Sequence, residues 1–180
     1  PVRVLSSFKD GNGTLISLGE ENMENALVSG IAFQKDQVKF TLHGVGDTPG
    51  TAFKILGPIS DADIEVDVIV QNVSVDGKTD FTFTVSSDDQ SSVQNIIEEI
   101  KEDVNFRELI IDSNIAKVSI VGAGMRSQAG VASTAFKSLS EHDVNIQIIC
   151  TSEIKITMVI DKSLVEKAVQ VLHNEFNLDK

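Results

Sequence analysis

The sequence predicts an α+β fold built of two βαββαβ units, and two observations support this prediction. One pattern of strand, glycine turn, helix and strand occurs twice, over 38–74 and again over 118–152. Gly50 matches Gly130 and Asp63 matches Asp143 at one constant offset, although the first glycine turn is two residues shorter. Further strands and a helix follow each copy. A duplication of this size sets the domain organisation of the chain.

The first unit is expected over 37–113. Its first strand alternates apolar Val38 and Phe40 with polar neighbours, which is typical of a half-buried strand. The apolar side of the next helix is predicted to consist of Ala52, Phe53, Leu56 and Ile59. Gly57-Pro58 should interrupt and kink this helix, because proline lacks an amide donor and clashes with the preceding turn. Three further strands are predicted over 64–70, 79–85 and 106–111, with a helix after Ser87–Asp89.

The second unit repeats these elements but lacks its last strand. Strands are predicted over 117–121, 144–150 and 154–160, followed by a helix over 163–176 that ends the pattern. An open sheet edge beside a packed helix is unfavourable, so another segment should fill it. Ala26–Phe33 is the unused apolar segment. The second domain therefore comprises 24–36 plus 114–180, with the first unit inserted into it, and 1–23 forms a linker.

Composition excludes two classes of function. The chain has 180 residues with Lys+Arg 15 against Asp+Glu 27, a net charge of −12. Nucleic-acid binding requires basic patches, and such patches are not evident in the sequence. No apolar run approaches the roughly 18 residues of a membrane span, and the first residues do not resemble a signal peptide. No nucleic-acid or membrane partner is expected.

Cysteine and histidine give little indication of chemistry. Cys150 is the one cysteine, which fits a reducing, cytoplasmic setting, and its place within a strand predicts a core packing residue. His43, His142 and His173 are scattered, so we expect surface positions and no metal site. No catalytic residue is predicted.

Several longer motifs resemble a known family. They are GVGDTPGTA, DIEVDVIVQNVS, TDFTFTV, KVSIVGAGMRSQAGVA and NIQIICTSEIKITMVI, in this order along the chain. Together they resemble paired ACT domains, which are ferredoxin-like modules that bind amino acids, and specifically the regulatory region of aspartate kinase. The first residues, PVRVLSSF to GTL, are similar to the end of that enzyme's kinase domain. The resemblance also implies that the first ACT domain is inserted within the second.

This resemblance implies an allosteric region rather than a complete enzyme. It would bind L-lysine and/or L-threonine for feedback inhibition of the first step of aspartate-family amino-acid biosynthesis. The KFGG motif of the kinase domain is not in this sequence, so no aspartate phosphorylation is expected of the chain alone. ATP and Mg belong to that domain, and no cofactor is expected here. The implied partners are a second copy, through the ACT domains, and the kinase catalytic subunit or domain. Met23-Glu24 resembles the internal start of a separate regulatory subunit, whereas the residues before it favour an excised fragment.

The family pattern also implies an effector site in each unit. A loop of one unit is expected to meet a strand of the other, often across a dimer. In the first unit the implied residues are Asp47, Thr48, Pro49, Gly50, Thr51, Ala52, Glu65, Val66, Asp67, Gln71 and Asn72. In the second unit they are Ser127, Gln128, Ala129, Gly130, Val131, Ala132, Ser133, Asn145, Ile146 and Gln147.

Other interpretations remain open. Gly50 and Gly130 would also serve simple tight turns, and Asp47 would also serve as a helix N-cap. The second loop has no counterpart of Asp47, which leaves its occupancy open. A dimerisation module without an effector would need neither Asp47 nor Gln71. A dinucleotide-binding fingerprint fails, because its third glycine would have to stand at Ser127.

Overall fold

The computed structural model describes residues 2–5, 11, 14–16, 28–72, 76–122 and 130–178. Its strands are β1 (Val2–Val4), β2 (Thr14–Ile16), β3 (Gly30–Gly46), β4 (Ile69–Gln71), β5 (Lys78–Ser86), β6 (Glu108–Val121), β7 (Ile146–Thr151) and β8 (Lys155–Asp161). Its α-helices are α1 (Thr51–Asp61), α2 (Gln90–Glu99), α3 (Lys101–Val104), α4 (Val131–Glu141) and α5 (Val165–Glu175). Short 3-10 turns at Ser87–Asp89 and Lys162–Leu164 lead into α2 and α5. None of these helices is long and apolar enough to cross a membrane.

Six strands form one antiparallel sheet in the order β4-β5-β3-β6-β8-β7. The two central strands, β3 and β6, are long enough to belong to both units. Residues 37–43 of β3 pair with 108–115 of β6 and with β5, while residues 30–34 pair with 117–121. The first part of β3 therefore lies beside the first strand of the second unit, as an inserted first unit requires. The boundaries between the domains stay a prediction.

Each unit has its own apolar core under its helices. In the first, the rings of Phe40 and Phe83 stack with centroids 5.4 Å apart and planes 7° apart, beneath Ile55 of α1. In the second, Met158 of β8 lies with Leu139 of α4 in a separate cluster of buried residues. Each such fully buried side chain contributes roughly 1.5–3 kcal/mol relative to exposure. The two cores fix two helix layers on one shared sheet.

Backbone dihedrals repeat between the units. Gly50 (φ 92°) and Gly130 (φ 111°) are both left-handed N-caps, of α1 and of α4. Asp63 (φ 58°) and Asp143 (φ 55°) follow these two helices, and each is one of the few non-glycine residues with positive φ among those described. The two halves therefore share turn geometry as well as sequence pattern, which confirms the duplicated βαββαβ arrangement.

The prediction for α1 was wrong in two respects. The buried residues are Thr51, Ile55 and Ile59, whereas Ala52 is exposed and Phe53 is 78% exposed. Spacing of four residues places the buried set on one face, and Ala52 and Phe53 fall outside that face. Gly57-Pro58 also does not interrupt α1, which runs on to Asp61. Glycine before proline has no Cβ to clash with the proline ring, so helical geometry is tolerated there.

Several strand boundaries also differ from the predictions. The strand expected over 64–70 is limited to Ile69–Gln71, although the Asp67 N–H still donates to the Thr84 carbonyl at 3.1 Å. The strands expected over 106–111 and 117–121 form the single strand β6. No glycine or proline separates them, and register shifts opposite 34–39 of β3 absorb the irregularity instead. The linker predicted over 1–23 contributes an antiparallel pair, β1 with β2.

Cys150 is exposed, so its assignment as a core residue was wrong. It lies on β7, which forms one edge of the sheet. A register shift between Ile146 and Ile148 moves the alternation of the strand, and Cys150 pairs with Thr157 rather than with a residue of the helix-covered face. Period-two alternation in the sequence does not reveal such a shift.

Candidate functional site

The first glycine turn, 44–50, joins β3 to α1 and is held by its own hydrogen bonds. The Asp47 N–H donates to the Gly77 carbonyl at 3.0 Å, and the Thr51 hydroxyl donates to the Gly46 carbonyl at 2.8 Å. The Thr48 and Thr51 hydroxyl oxygens lie 3.1 Å apart. Gly50 adopts the left-handed conformation that only glycine adopts readily, which turns the chain into the helix. The turn is therefore fixed before any ligand arrives.

Asp47 does not cap α1. Gly50 occupies the N-cap position, and among the described residues no side chain makes a cap bond there. The interpretation of Asp47 as a mere N-cap was therefore wrong. Its carboxylate is exposed, as are Thr48 and Pro49. The first turn of α1 consists of the uncharged Thr51, Ala52 and Phe53. The Thr51 N–H donates to the Thr48 carbonyl at 3.2 Å, and the helix start as a whole carries the positive end of the helix dipole.

Asp80, on β5, binds the start of the same turn through its carboxylate. Its carboxylate accepts the Gly44 N–H at 3.0 Å and lies 2.9 Å from Nδ1 of His43. The Gly44 hydrogen bond is the largest cause that lowers the pKa of Asp80, and His43 and Arg107 add to it, whereas burial acts in the opposite direction. This cluster was not predicted, because its partners lie 36 positions apart in the sequence.

The strand segment predicted to face the loop of the other unit, 65–67 in the first unit and 145–147 in the second, is called the wall of its unit. The wall of the first unit lies on a separate cavity. Glu65 and Asp67 are exposed, whereas Val66 is half-buried. The cavity has a volume of about 350 Å³. Its lining consists of Gln34, Gln37, Glu65, Asp67, Val85, Ser86, Asp89, Lys117 and Lys155, so it includes this wall but neither Asp47 nor Gly50. Oε1 of Gln37 is buried and has no hydrogen-bond partner among the described residues.

Two lysines contact the walls: Lys117 contacts the wall of the first unit, and Lys39 contacts the wall of the second. Nζ of Lys117, on β6, donates to Oδ2 of Asp67, and the Lys117 side chain is 3% exposed. Nζ of Lys39, on β3, donates to Oε1 of Gln147 and lies 3.1 Å from Oδ2 of Asp112. Sequence reasoning missed both lysines as parts of the site. The available signal was their equivalent position, five residues before Gly44 and Gly122 respectively.

Gln71 and Asn72 follow the wall and are exposed. The Asn72 carbonyl accepts the Thr79 hydroxyl at 2.5 Å. Asn72 also lines a second cavity, of about 620 Å³, together with Gly44, Asp76, Lys78, Thr79, Asp80 and Arg107. The structure therefore brings Asn72, but not Glu65 or Asp67, next to the start of the glycine turn.

The second unit places its predicted residues in a similar way. Ser127, Gln128 and Ala129 lie outside the described residues. Gly130 caps α4, where Val131 is buried, Ala132 half-buried and Ser133 exposed. Asn145 and Ile146 line a cavity of about 500 Å³ together with Phe136, Ser140, Asp143 and Val144. Gln147 instead reaches Lys39 of the first unit.

Comparison with known proteins identifies the family. The ACT domain family matches residues 42–105 and 118–176. A chain in the crystal structure of aspartokinase alpha and beta subunits is 46% identical, with a TM-score of 0.79; the match covers 84% of the present chain and 99% of that chain. The chain belongs to the aspartate kinase regulatory-region family. The ligand-free regulatory subunit of aspartate kinase from Thermus thermophilus is 32% identical, with a TM-score of 0.79, and the match covers 83% of the present chain and 99% of that subunit.

The longer aspartate kinases extend well beyond this regulatory region. The aspartate kinase of Pseudomonas fluorescens strain SBW25 is 56% identical over 180 residues, which are 99% of the present chain but 44% of that enzyme. The chain thus spans less than half the length of this relative. The predictions of an α+β fold and of two ACT domains are confirmed. The site residues stay predictions. The two ACT domains contact each other directly through Lys39 and Lys117.

Proposed function

We propose that this chain binds L-lysine and/or L-threonine and transmits their presence to an aspartate kinase catalytic domain as feedback inhibition. One observation carries the proposal. The first helix of each ACT domain begins after a left-handed glycine at the N-cap and has uncharged residues in its first turn, and in the first domain the preceding turn is held by its own hydrogen bonds. Such a helix start offers free N–H groups and a positive dipole end to the carboxylate of an amino acid.

The first turn has the chemistry for the other end of an amino acid. The exposed carboxylate of Asp47 is available to an ammonium group. A Cβ built on Gly50 would meet no described atom within 4 Å, so the space beside this turn is open to a ligand. Glycine is needed there because of its positive φ. A larger side chain would fit into the open space, but its residue would not readily adopt this backbone conformation. The second turn has no counterpart of Asp47, so its occupancy by a cationic group is less favourable.

The proposed partners follow from the same assignment. A second copy would pair through the ACT domains, and the kinase catalytic domain would supply the ATP and Mg chemistry in the cytoplasm. Effector binding would favour the arrangement in which that domain is inactive, by the difference in its affinity for the two states. The resemblance does not distinguish lysine from threonine, since carboxylate and ammonium groups are common to both.

Calorimetry of the purified chain tests this proposal. L-lysine, L-threonine and their mixture are titrated in turn, with D-lysine as a stereochemical control and ATP as a control for nucleotide binding. We expect saturable binding of at least one L-amino acid and none of ATP. Heat changes no larger than those of D-lysine for every L-amino acid would refute the proposal. Dimerisation without binding would then favour the purely structural module.

A further inference from the structure

Lys39 and Lys117 occupy equivalent positions in the two ACT domains. Each lies on the first strand of its domain, five residues before the first glycine of the turn. Asp67 and Gln147 are also equivalent, because each lies four residues after the positive-φ aspartate that follows the first helix of its domain, Asp63 or Asp143. These four residues are therefore two symmetry-related pairs within one chain.

The contacts between them are crossed. Lys117 of the second domain donates to Asp67 of the first, and Lys39 of the first domain donates to Gln147 of the second. In each case the first-strand lysine of one domain contacts the wall of the other, at Asp67 before β4 or at Gln147 on β7. A chance surface contact would not be expected to recur in both directions at equivalent positions.

Burial makes both contacts specific. The Lys117 side chain is 3% exposed and the Lys39 side chain 16% exposed. A lysine ammonium removed from water needs a partner, because an unpaired buried charge is strongly unfavourable. Asp67 is the carboxylate that Lys117 reaches, and its own side chain is 46% exposed. The lysine is thus fixed by burial, whereas the wall residue that it holds could otherwise point elsewhere.

The two contacts are not equal in strength. Lys39 has a carboxylate on the neighbouring strand, Asp112, which lies directly opposite it in the β3–β6 register. Its bond to Gln147 is therefore an additional contact to a neutral amide. The Lys117 contact joins two charges across the domains, and charge-assisted hydrogen bonds are the stronger kind. Lys117 should consequently hold its wall more firmly than Lys39 does.

We propose that Lys39 and Lys117 are positioning residues, each of which holds the wall of the other ACT domain, so that the two walls are positioned as a pair. The part of this inference that concerns effector affinity rests on the proposed function. The part that concerns the walls does not, since it follows from the contacts within the chain. Neither lysine needs to touch the effector.

Amide hydrogen exchange on the intact chain tests the crossed arrangement. Lys117→Met keeps the length of the side chain and removes its charge. We expect exchange at the amides of Asp67 and Val68 to accelerate at least about tenfold, which corresponds to 1.4 kcal/mol of local stability. Lys39→Met should act on the amides of 146–148 instead, and by less. Each substitution thus loosens the domain in which it does not lie.

Lys101→Met is the control, since it removes one positive charge from an exposed residue of α3, outside the cavity and the predicted site residues, while Lys117 remains on Asp67. Amides of α5 report any general loss of stability. Unchanged exchange at Asp67 in Lys117→Met, or acceleration confined to the second domain or equal throughout the chain, would overturn the inference.

Calorimetry of the same variants separates this inference from the proposed function. We expect Lys117→Met to weaken amino-acid binding about tenfold and Lys101→Met to leave it within about twofold. Crossed exchange with unchanged affinity would support the positioning of the walls and remove them from the effector site. If the parent chain binds no amino acid, the proposed function is wrong, and the exchange result alone decides whether the lysines position the walls.

Discussion

At the residue scale, removal of the Asp47 charge should reduce the affinity for an amino acid more than any other single change in the first glycine turn. Its side chain makes no cap bond in the described structure, so Asp47→Asn should leave the stability of α1 almost unchanged. A hydrogen bond to a charged ammonium contributes roughly 1.5–3 kcal/mol, or about ten- to a hundredfold in affinity. We predict that Asp47→Asn weakens lysine or threonine binding at least about tenfold in calorimetry. In a full-length kinase, catalysis should persist while feedback inhibition fades.

Asp61→Asn is the control for this substitution, because Asp61 is an exposed residue at the far end of the same helix. It removes one negative charge from the chain without touching the glycine turn. Equal affinities for the parent and Asp47→Asn would show that the first effector site is placed wrongly.

Asp80 should make stability depend on pH in the acidic range. Because the pKa of Asp80 is lowered in the folded chain, its contribution is fully present above the unfolded value of about 4 and is lost as pH falls through the folded value. Its side chain is 42% exposed, so the contribution should stay below about 1 kcal/mol. We predict that Asp80→Asn lowers the free energy of unfolding at pH 7 and that its difference from the parent narrows below about pH 4.

Urea unfolding at a series of pH values measures this difference. Asp61→Asn again serves as a control for the loss of one carboxylate, and its difference from the parent should be small at every pH. A constant gap between parent and Asp80→Asn from pH 7 down to pH 3 would contradict the assignment.

The residues that sequence reasoning missed share one physical feature, which is contact between distant strands. The glycine turns could be predicted, since their conformations are local properties of Gly50 and Gly130. Lys117 and Asp67 lie 50 positions apart, and their pairing depends on how the two domains meet. Cys150 was assigned to the core because alternation does not reveal a register shift, and Phe53 because an apolar residue on a helix is usually buried.

At the element scale, β3 and β6 connect the two domains. Both strands run through the pair of ACT domains, and each is paired on both sides over part of its length. That an N-terminal segment supplies the fourth strand of the second domain was inferred by counting strands, because an open sheet edge beside a packed helix is unfavourable, and the inserted arrangement stays a prediction. The fusion of two predicted strands into β6 was not predictable, since it depends on the alignment of the two domains rather than on local residues.

Truncation tests this topology. Deletion of 1–36 removes the part of β3 that pairs with 117–121, whereas deletion of 1–19 leaves that pairing intact. We predict that the longer deletion lowers the melting temperature by at least about 5 °C or causes aggregation, because it opens an edge of the sheet. The shorter deletion should lower it much less. Equal melting temperatures for the two truncations, measured by circular dichroism, would contradict the inserted arrangement.

At the scale of the whole molecule, two opposing terms govern self-association. The edge strands of the sheet are β4 and β7. Three apolar side chains on or beside these strands are exposed, with exposed fractions of 47% for Ile69, 47% for Ile149 and 55% for Ile154. Such edges and side chains favour pairing with a second copy. A net charge of −12 on each copy opposes it by mutual repulsion.

The balance between these terms gives a prediction that depends on salt. Exposed charges are screened beyond about 10 Å at 0.1 M ionic strength and beyond about 3 Å at 1 M, whereas burial of apolar surface does not weaken with added salt. We predict a homodimer at micromolar concentration. Its dissociation constant should fall as the sodium chloride concentration rises from about 0.05 M to about 0.5 M. Sedimentation equilibrium measures it, with lysine and threonine absent and then present. A chain that stays monomeric throughout would contradict homodimerisation, and a dimer that weakens with salt would indicate an interface held by ion pairs instead of apolar contacts.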